Sequence, residues 1–241
     1  MNSTAASRRC SPTLAAGSGV HYRGRMRNWA MAEARGILAV LGIAWMFALL
    51  LFPAVSVILA LAILFTFYFF RDPERIPPPG ETIAVAPADG LVTTVDEVEE
   101  AEFLNAKVRR IGIFLSVLDV HVNRAPIAGE VTHSEPKSGI FLDARDLRSS
   151  SLNVSRTWVF SGAVGTVLVR QITGAIARRI CPWAVVGDVL ARGERFGMIR
   201  FGSRTELFVP MDAEILVKLG DRVRGGETPV ARLASSTDIP S

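Results

Sequence analysis

Two hydrophobic patterns divide the chain. From Ile37 to Phe70 no side chain carries a charge, and Arg35 and Arg71 bound the run. One helix of that length would exceed the roughly 20 residues needed to cross a bilayer. Pro53 falls near the middle and removes a helical hydrogen bond. The pattern predicts two helical halves, 37–52 and 54–70. Phe65, Phe67, Tyr68, Phe69 and Phe70 gather at the exit, where aromatic rings suit the headgroup interface. Arginines flank both ends, Arg23 to Arg35 before and Arg71 and Arg75 after. The positive-inside rule then keeps both ends cytoplasmic, which favours a hairpin or re-entrant pair over one tilted span. The proline-rich stretch Arg71–Gly80 reads as a stiff, extended exit.

From Thr82 onward, short β-branched runs alternate with turn residues. Strands are predicted at 83–86, 90–95, 110–116, 129–132, 158–160, 166–172, 197–201 and 206–209, and a helical turn at 175–180. The fold class is mainly β, a sandwich or barrel with few short helices, preceded by the apolar helical hairpin. An internal echo refines this. Gly187-Asp188-Val189-Leu190-Ala191-Arg192-Gly193-Glu194 is matched 33 residues later by Gly220-Asp221-Arg222-Val223-Arg224-Gly225-Gly226-Glu227. Both read as turn, short strand, turn, a pattern similar to the hairpins of biotinyl- and lipoyl-type barrels. Those carriers need a modifiable lysine at a hairpin tip, and none lies between the two copies. Carrier function is set aside.

The 241 residues divide into a basic tail (1–35), a membrane anchor (36–70) and one soluble domain (71–241). Much of the net charge of +4 sits in the tail, where Arg8, Arg9, Arg23, Arg25 and Arg27 precede the first acidic residue, Glu33. Disorder is expected there. The composition suits a transit peptide or an over-extended gene start, with Met26 or Met31 as the true beginning. Such arginines favour anionic headgroups. Nucleic acid is the weaker partner, because interleaved aromatics are missing and a hydrophobic segment follows directly. Cys10 and Cys181 are too few for a disulfide framework or a cysteine-rich metal site.

Candidate chemistry centres on Gly202-Ser203, inside an otherwise strand-like run. Glycine lets its carbonyl be approached closely. Attack on it by the Ser203 hydroxyl would convert the amide to an ester; elimination leaves dehydroalanine, which hydrolyses to a pyruvoyl group. That ketone forms a Schiff base with a substrate amine and accepts electrons. Serine needs a base. His21 lies in the tail and His133 reads as a solvated turn, whereas His121 ends an apolar run where a loop begins. Asp89, in Pro87-Ala88-Asp89-Gly90, is either an ordinary turn residue or the carboxylate that orients His121. Asp119 is its rival, because in a strand it would share a face with His121. Arg178 and Arg179 are candidates for holding a phosphodiester, or a solvated pair. A membrane-tethered serine hydrolase would use the same trio, but the Gly-x-Ser-x-Gly elbow is absent around Ser203. A non-catalytic β scaffold is the other alternative.

With these residues collected, the chain resembles the phosphatidylserine decarboxylase proenzymes, in their short bacterial and archaeal-like branch. The likeness runs from about Phe69 to Leu233. It is carried by Phe70-Arg71-Asp72-Pro73-Glu74-Arg75, Ala86-Pro87-Ala88-Asp89-Gly90, Asp119-Val120-His121-Val122-Asn123-Arg124 and Gly139-Ile140-Phe141-Leu142-Asp143-Ala144. It continues through Gln171–Ile180 and Arg195–Arg204. The resemblance implies cleavage between Gly202 and Ser203 into a large chain, 1–202, and a small chain, 203–241, that stay associated, the latter opening with the pyruvoyl group. By likeness, Asp89 and His121 assist self-cleavage, and His121 handles protons during decarboxylation of phosphatidylserine to phosphatidylethanolamine. No metal is implied. The expected setting is the inner membrane with the catalytic domain on its cytoplasmic face; homo-oligomerisation is left open. Two departures stand out. Longer relatives carry a second histidine where this chain has Arg124, and Ser149–Arg156 lacks the acidic run expected there.

Overall fold

A computed structural model describes residues 29–146, 148–175, 179–200 and 203–234. The apolar run forms two helices, α1 (Trp29–Leu51) and α2 (Pro53–Phe69), which pack along each other. The break falls where the proline predicts it: Phe52 still donates to Ala48 O, and Pro53 opens α2 at a position that needs no N–H. Inside α2 the Ser56 and Thr66 hydroxyls donate to the carbonyls of Pro53 and Ala62, so neither is stranded among apolar side chains. By length and composition α1 could cross a membrane.

The helix begins at Trp29, inside the segment assigned above to the tail, because its first turns are packed. Ala30 and Ala34 are buried, Trp29 meets Trp183 edge-on at 5.8 Å, and Glu33 pairs with Arg200 at 3.5 Å. The exit residues 71–79 are extended and pinned by charge. Asp72 lies between Arg124 (2.9 Å) and Arg195 (2.5 Å), and Arg195 also reaches Glu74 (3.3 Å). Burial raises the Asp72 pKa against the pull of both arginines and draws that of Arg124 down to about 10. Arg124 is thus a buried, ion-paired structural cation.

The remainder is β, as expected. In chain order come β1 (Ile83–Val85), β2 (Gly90–Glu100), β3 (Ala106–Leu115), β4 (Val122–Arg124), β5 (Gly129–Lys137), the short α3 (Ser149–Leu152), β6 (Ser155–Gly162), β7 (Gly165–Thr173) and β8 (Arg179–Pro182). Then follow β9 (Val189–Leu190), β10 (Arg195–Arg200), β11 (Ser203–Pro210), β12 (Glu214–Ile215), β13 (Arg222–Val223) and β14 (Pro229–Arg232). A curled antiparallel sheet has the order β13-β2-β3-β11-β7-β6-β5-β9; two three-stranded sheets, β4-β10-β8 and β1-β14-β12, accompany it. Arg179 and Ile180 are strand, where a helical turn was expected, because they pair with Arg200 and Ile199 of β10. His133 likewise lies in a strand, not a turn. The short strands are the ones that periodicity missed.

The large sheet is internally twofold. β2-β3-β11 on one side mirrors β5-β6-β7 on the other, and the two Gly-Asp echoes supply the flanking strands β13 and β9. Val92 N–H bonds Asp221 O while Gly220 N–H bonds Val92 O; Val131 does the same with Asp188 and Gly187. Gly187, Gly193, Gly220 and Gly226 all have positive φ, which makes the turns of each echo depend on glycine. Both halves carry a β-bulge, at Thr93 and at Thr132. Trp158, Phe160, Phe196, Ile111, Ile113 and Leu207 fill the core between the layers.

Candidate active site

Ser203 opens β11 near the middle of the large sheet, facing Leu115 of β3 and Thr173 of β7. Arg200, three residues earlier, ends β10 in a different sheet. The chain therefore changes sheets immediately before Ser203. Phe201 and Gly202 lie outside the described residues, as does Arg178. Ser203 is fully buried, and its Oγ has no hydrogen-bond partner among the described residues. An unpaired buried hydroxyl costs about 1–3 kcal/mol, so its retention asks for a chemical reason.

His121 lies just ahead of β4 and is also fully buried. Its Nδ1 is 2.9 Å from Asp119 O, which assigns the proton of the neutral ring to Nδ1 and leaves Nε2 as the basic nitrogen. The ring packs on Phe69, the last residue of α2, with centroids 4.3 Å apart. Burial lowers its pKa from 6.5 to about 4, against the opposing pull of the Asp119 carbonyl and the Asp119 and Asp89 charges. At neutral pH the imidazole is an unprotonated base.

A buried polar chain runs from β6 through β7 and β4 to β11. Trp158 Nε1 donates to Gln171 Oε1 (2.8 Å), Gln171 Nε2 to Asn123 Oδ1 (2.6 Å), and Asn123 Nδ2 to Thr205 Oγ1 and Pro87 O (both 3.2 Å). Asn123 thus fixes β4 against β11. Ser203 stands two residues before Thr205 on β11 and so shares its face, and His121 lies two residues before Asn123, just ahead of β4. Asn123 and Gln171 went unrecognised in the sequence as part of the site; the His121-x-Asn123 spacing was the available signal.

Asp89, immediately before β2, directs its carboxylate elsewhere. Arg75 grips it with both Nη atoms, and Gly225 N–H donates to Oδ1 at 2.8 Å. Asp89 reaches the imidazole through its charge. Asp119 does not share a strand face with His121. The segment is a turn in which the Asp119 carboxylate caps Ser116 N–H and Oγ, so that its backbone carbonyl is what meets the ring. Arg179 pairs in register with Arg200, close to the sheet change. Among the described residues no three His, Cys, Asp or Glu side chains converge on a metal site.

A buried imidazole that is unprotonated at neutral pH and a buried hydroxyl without a partner among the described residues are groups that acid–base chemistry can use. The profile of the family described as phosphatidylserine decarboxylase matches residues 62–231. The chain is 46% identical over 208 residues to the phosphatidylserine decarboxylase proenzyme of Symbiobacterium thermophilum, covering 86% of this chain and 94% of that one. It is 46% identical over 179 residues to the proenzyme of Pelobacter propionicus (74% and 81% covered) and 44% over 177 to that of Syntrophus aciditrophicus (73% and 83%). The chain belongs to the phosphatidylserine decarboxylase family, and it is a decarboxylase.

Proposed function

We propose that the protein cuts its own backbone between Gly202 and Ser203 and then decarboxylates phosphatidylserine to phosphatidylethanolamine at a membrane surface. The observation that carries this reading is the buried, unpartnered Ser203 Oγ where the chain changes sheets. An orphaned hydroxyl suits a residue whose oxygen is to be given up, so the residues present fit a pyruvoyl precursor at 203. Self-cleavage begins with His121 Nε2 taking the Ser203 proton, and the Asp89 charge stabilises the imidazolium that forms. The hydroxyl oxygen passes to the Gly202 carboxylate on elimination, and the backbone nitrogen of residue 203 leaves as ammonia. The pyruvoyl ketone supplies an electron sink for an amine-bearing substrate. His121 then returns a proton to the carbon that has lost carbon dioxide. Arg179, with Arg200 beside it and Arg178 in the adjoining segment, would hold the lipid phosphodiester.

Support for the membrane setting comes from the hairpin, whose outward side chains are apolar and whose last residue stacks on His121. The large chain 1–202 and the small chain 203–241 would stay together because β11 is bonded on both edges, to β3 and β7. The flanking arginines support a place on the cytoplasmic face of the inner membrane. Intact mass spectrometry tests this directly: two chains, the small one blocked at its N-terminus, with Ser203→Ala remaining whole. An uncut yet active wild type overturns the reading.

A further inference from the structure

We infer that Arg204 is a positioning residue that pins the new chain end once the bond before Ser203 is cut, an inference resting on the self-cleavage proposed above. Arg204 points to the face of β11 opposite Ser203 and is 1% exposed. Its Nε donates to Glu206 Oε1 (2.8 Å), Nη1 to Thr93 Oγ1 (3.0 Å) and Nη2 to Thr94 Oγ1 (2.6 Å).

Two features on neighbouring strands make that reach available. Val92 pairs with Ile113 and Thr94 with Gly112, so Thr93 is the extra residue of a bulge. A bulge lets consecutive side chains turn to one face, which is why both threonines meet the same guanidinium. On β3, Gly112 leaves the slot open: a Cβ there would stand 2.2 Å from Nη2.

Burying a cation this deeply is costly, and the second half of the sheet does without it. There the bulge at Thr132 persists, but the counterpart of Gly112 is Val159 and that of Arg204 is Thr166, in hydroxyl contact with Ser161. That half has no end to hold, because Gly162 and Gly165 close a hairpin. A strand that starts at a free terminus frays unless tied down. Glu206 belongs to the small chain, so the Thr93 and Thr94 hydroxyls are the large chain's side-chain hold on Arg204. Before cleavage the peptide fixes residue 203 from both sides; afterwards Arg204 does so from one.

The test compares full-length wild type, the Thr93→Val/Thr94→Val pair and the Thr93→Ser/Thr94→Ser pair, each allowed to mature. The readouts are the extent of cutting, hydrogen exchange of amides 204–208, and kcat against KM for phosphatidylserine in vesicles. The valine pair should be cut, then exchange about tenfold faster at 204–208 and lose about tenfold in kcat at unchanged KM, the effect of losing hydrogen bonds to a charged group. The serine pair, which keeps the hydroxyls and loses the methyls, should resemble wild type. Unchanged exchange in the valine pair, or equal loss in the serine pair, overturns the inference while leaving cleavage itself established. If the valine pair does not mature, Gly112→Ala, which displaces the guanidinium first and presses on Thr94 Cβ at 3.1 Å, is measured in the same way; unaltered exchange there is equally fatal. An uncut wild type removes the underlying reading instead.

Discussion

In the half of the large sheet that holds Ser203, β3 ends at Leu115 and β11 starts opposite it, with residues 116–202 between them. In the other half β6 ends at Gly162, and β7 starts opposite it at Gly165 after a turn of Ala163 and Val164. The ladder is the same. One copy is closed by a tight hairpin, and the other is opened by a long excursion through β4 and β10 in which Ile199, four residues before β11 starts, donates its N–H to the His121 carbonyl. Opening the hairpin creates a strand start that is packed on both edges, where a backbone bond can be given up without losing a strand. A second contrast lies at the entries to β2 and β5. Ala86-Pro87-Ala88-Asp89-Gly90 corresponds to Ala125-Pro126-Ile127-Ala128-Gly129, so an exposed alanine stands where the site half has its carboxylate. Gly225, which donates to Asp89, corresponds to Arg192, whose guanidinium binds the Pro78 and Ile83 carbonyls. The proposed chemistry falls where the repeat is broken.

Removing the carboxylate should have the largest effect. Asp89→Asn, the nearest uncharged approach to the silent half, should slow self-cleavage about 10³-fold, in the range of lost general-base assistance. Ala128→Asp, its mirror change, should leave the rate within about twofold. A time course of chain conversion on gels checks both. Next comes acid. His121 has a folded pKa near 4 against 6.5 for the free side chain, so the unfolded chain binds the extra proton between those values. Stability should be constant above about pH 6.5 and fall by about 3 kcal/mol as pH drops to 4. Urea titrations of the uncut Ser203→Ala protein, with and without His121→Phe, isolate that slope. Gly225→Ala tests the second contrast. A Cβ there would lie 3.0 Å from the Ala88 backbone, pushing the donor from Asp89 and slowing cleavage about tenfold, the effect of one hydrogen bond to a charged acceptor. The smallest change expected is for Phe69→Ala. Losing the ring over His121 should raise the histidine pKa by about one unit, read from the pH dependence of cleavage below pH 6.

Much of this arrangement was visible in the one-dimensional pattern. The charge-free run with its central proline predicts the helical pair, and the β-branched runs predict most long strands. The Gly-Asp echoes predict two matched turns, whose glycines have the required positive φ. The helix start at Trp29 was hidden because Trp29, Ala30 and Glu33 are helical through contacts with Trp183 and Arg200, far along the chain. β4, β8, β12 and β14 were hidden because two to four residues carry no measurable period, whereas the equally short β9 and β13 were legible through the echo. The Arg75–Asp89 pair was equally hidden, since a charged linker reads as solvated until the surface it lies on is known.

By itself the amino-acid order determined the apolar hairpin, the β character and the Gly202-Ser203 dipeptide, because each is a local property of side-chain type and spacing. Tertiary structure decided which groups keep company with them. It gave Asp89 to Arg75, set the Asp119 carbonyl on His121, and seated Ser203 between Leu115 and Thr173. Pairings over such distances follow from sheet register and burial, which no local pattern encodes.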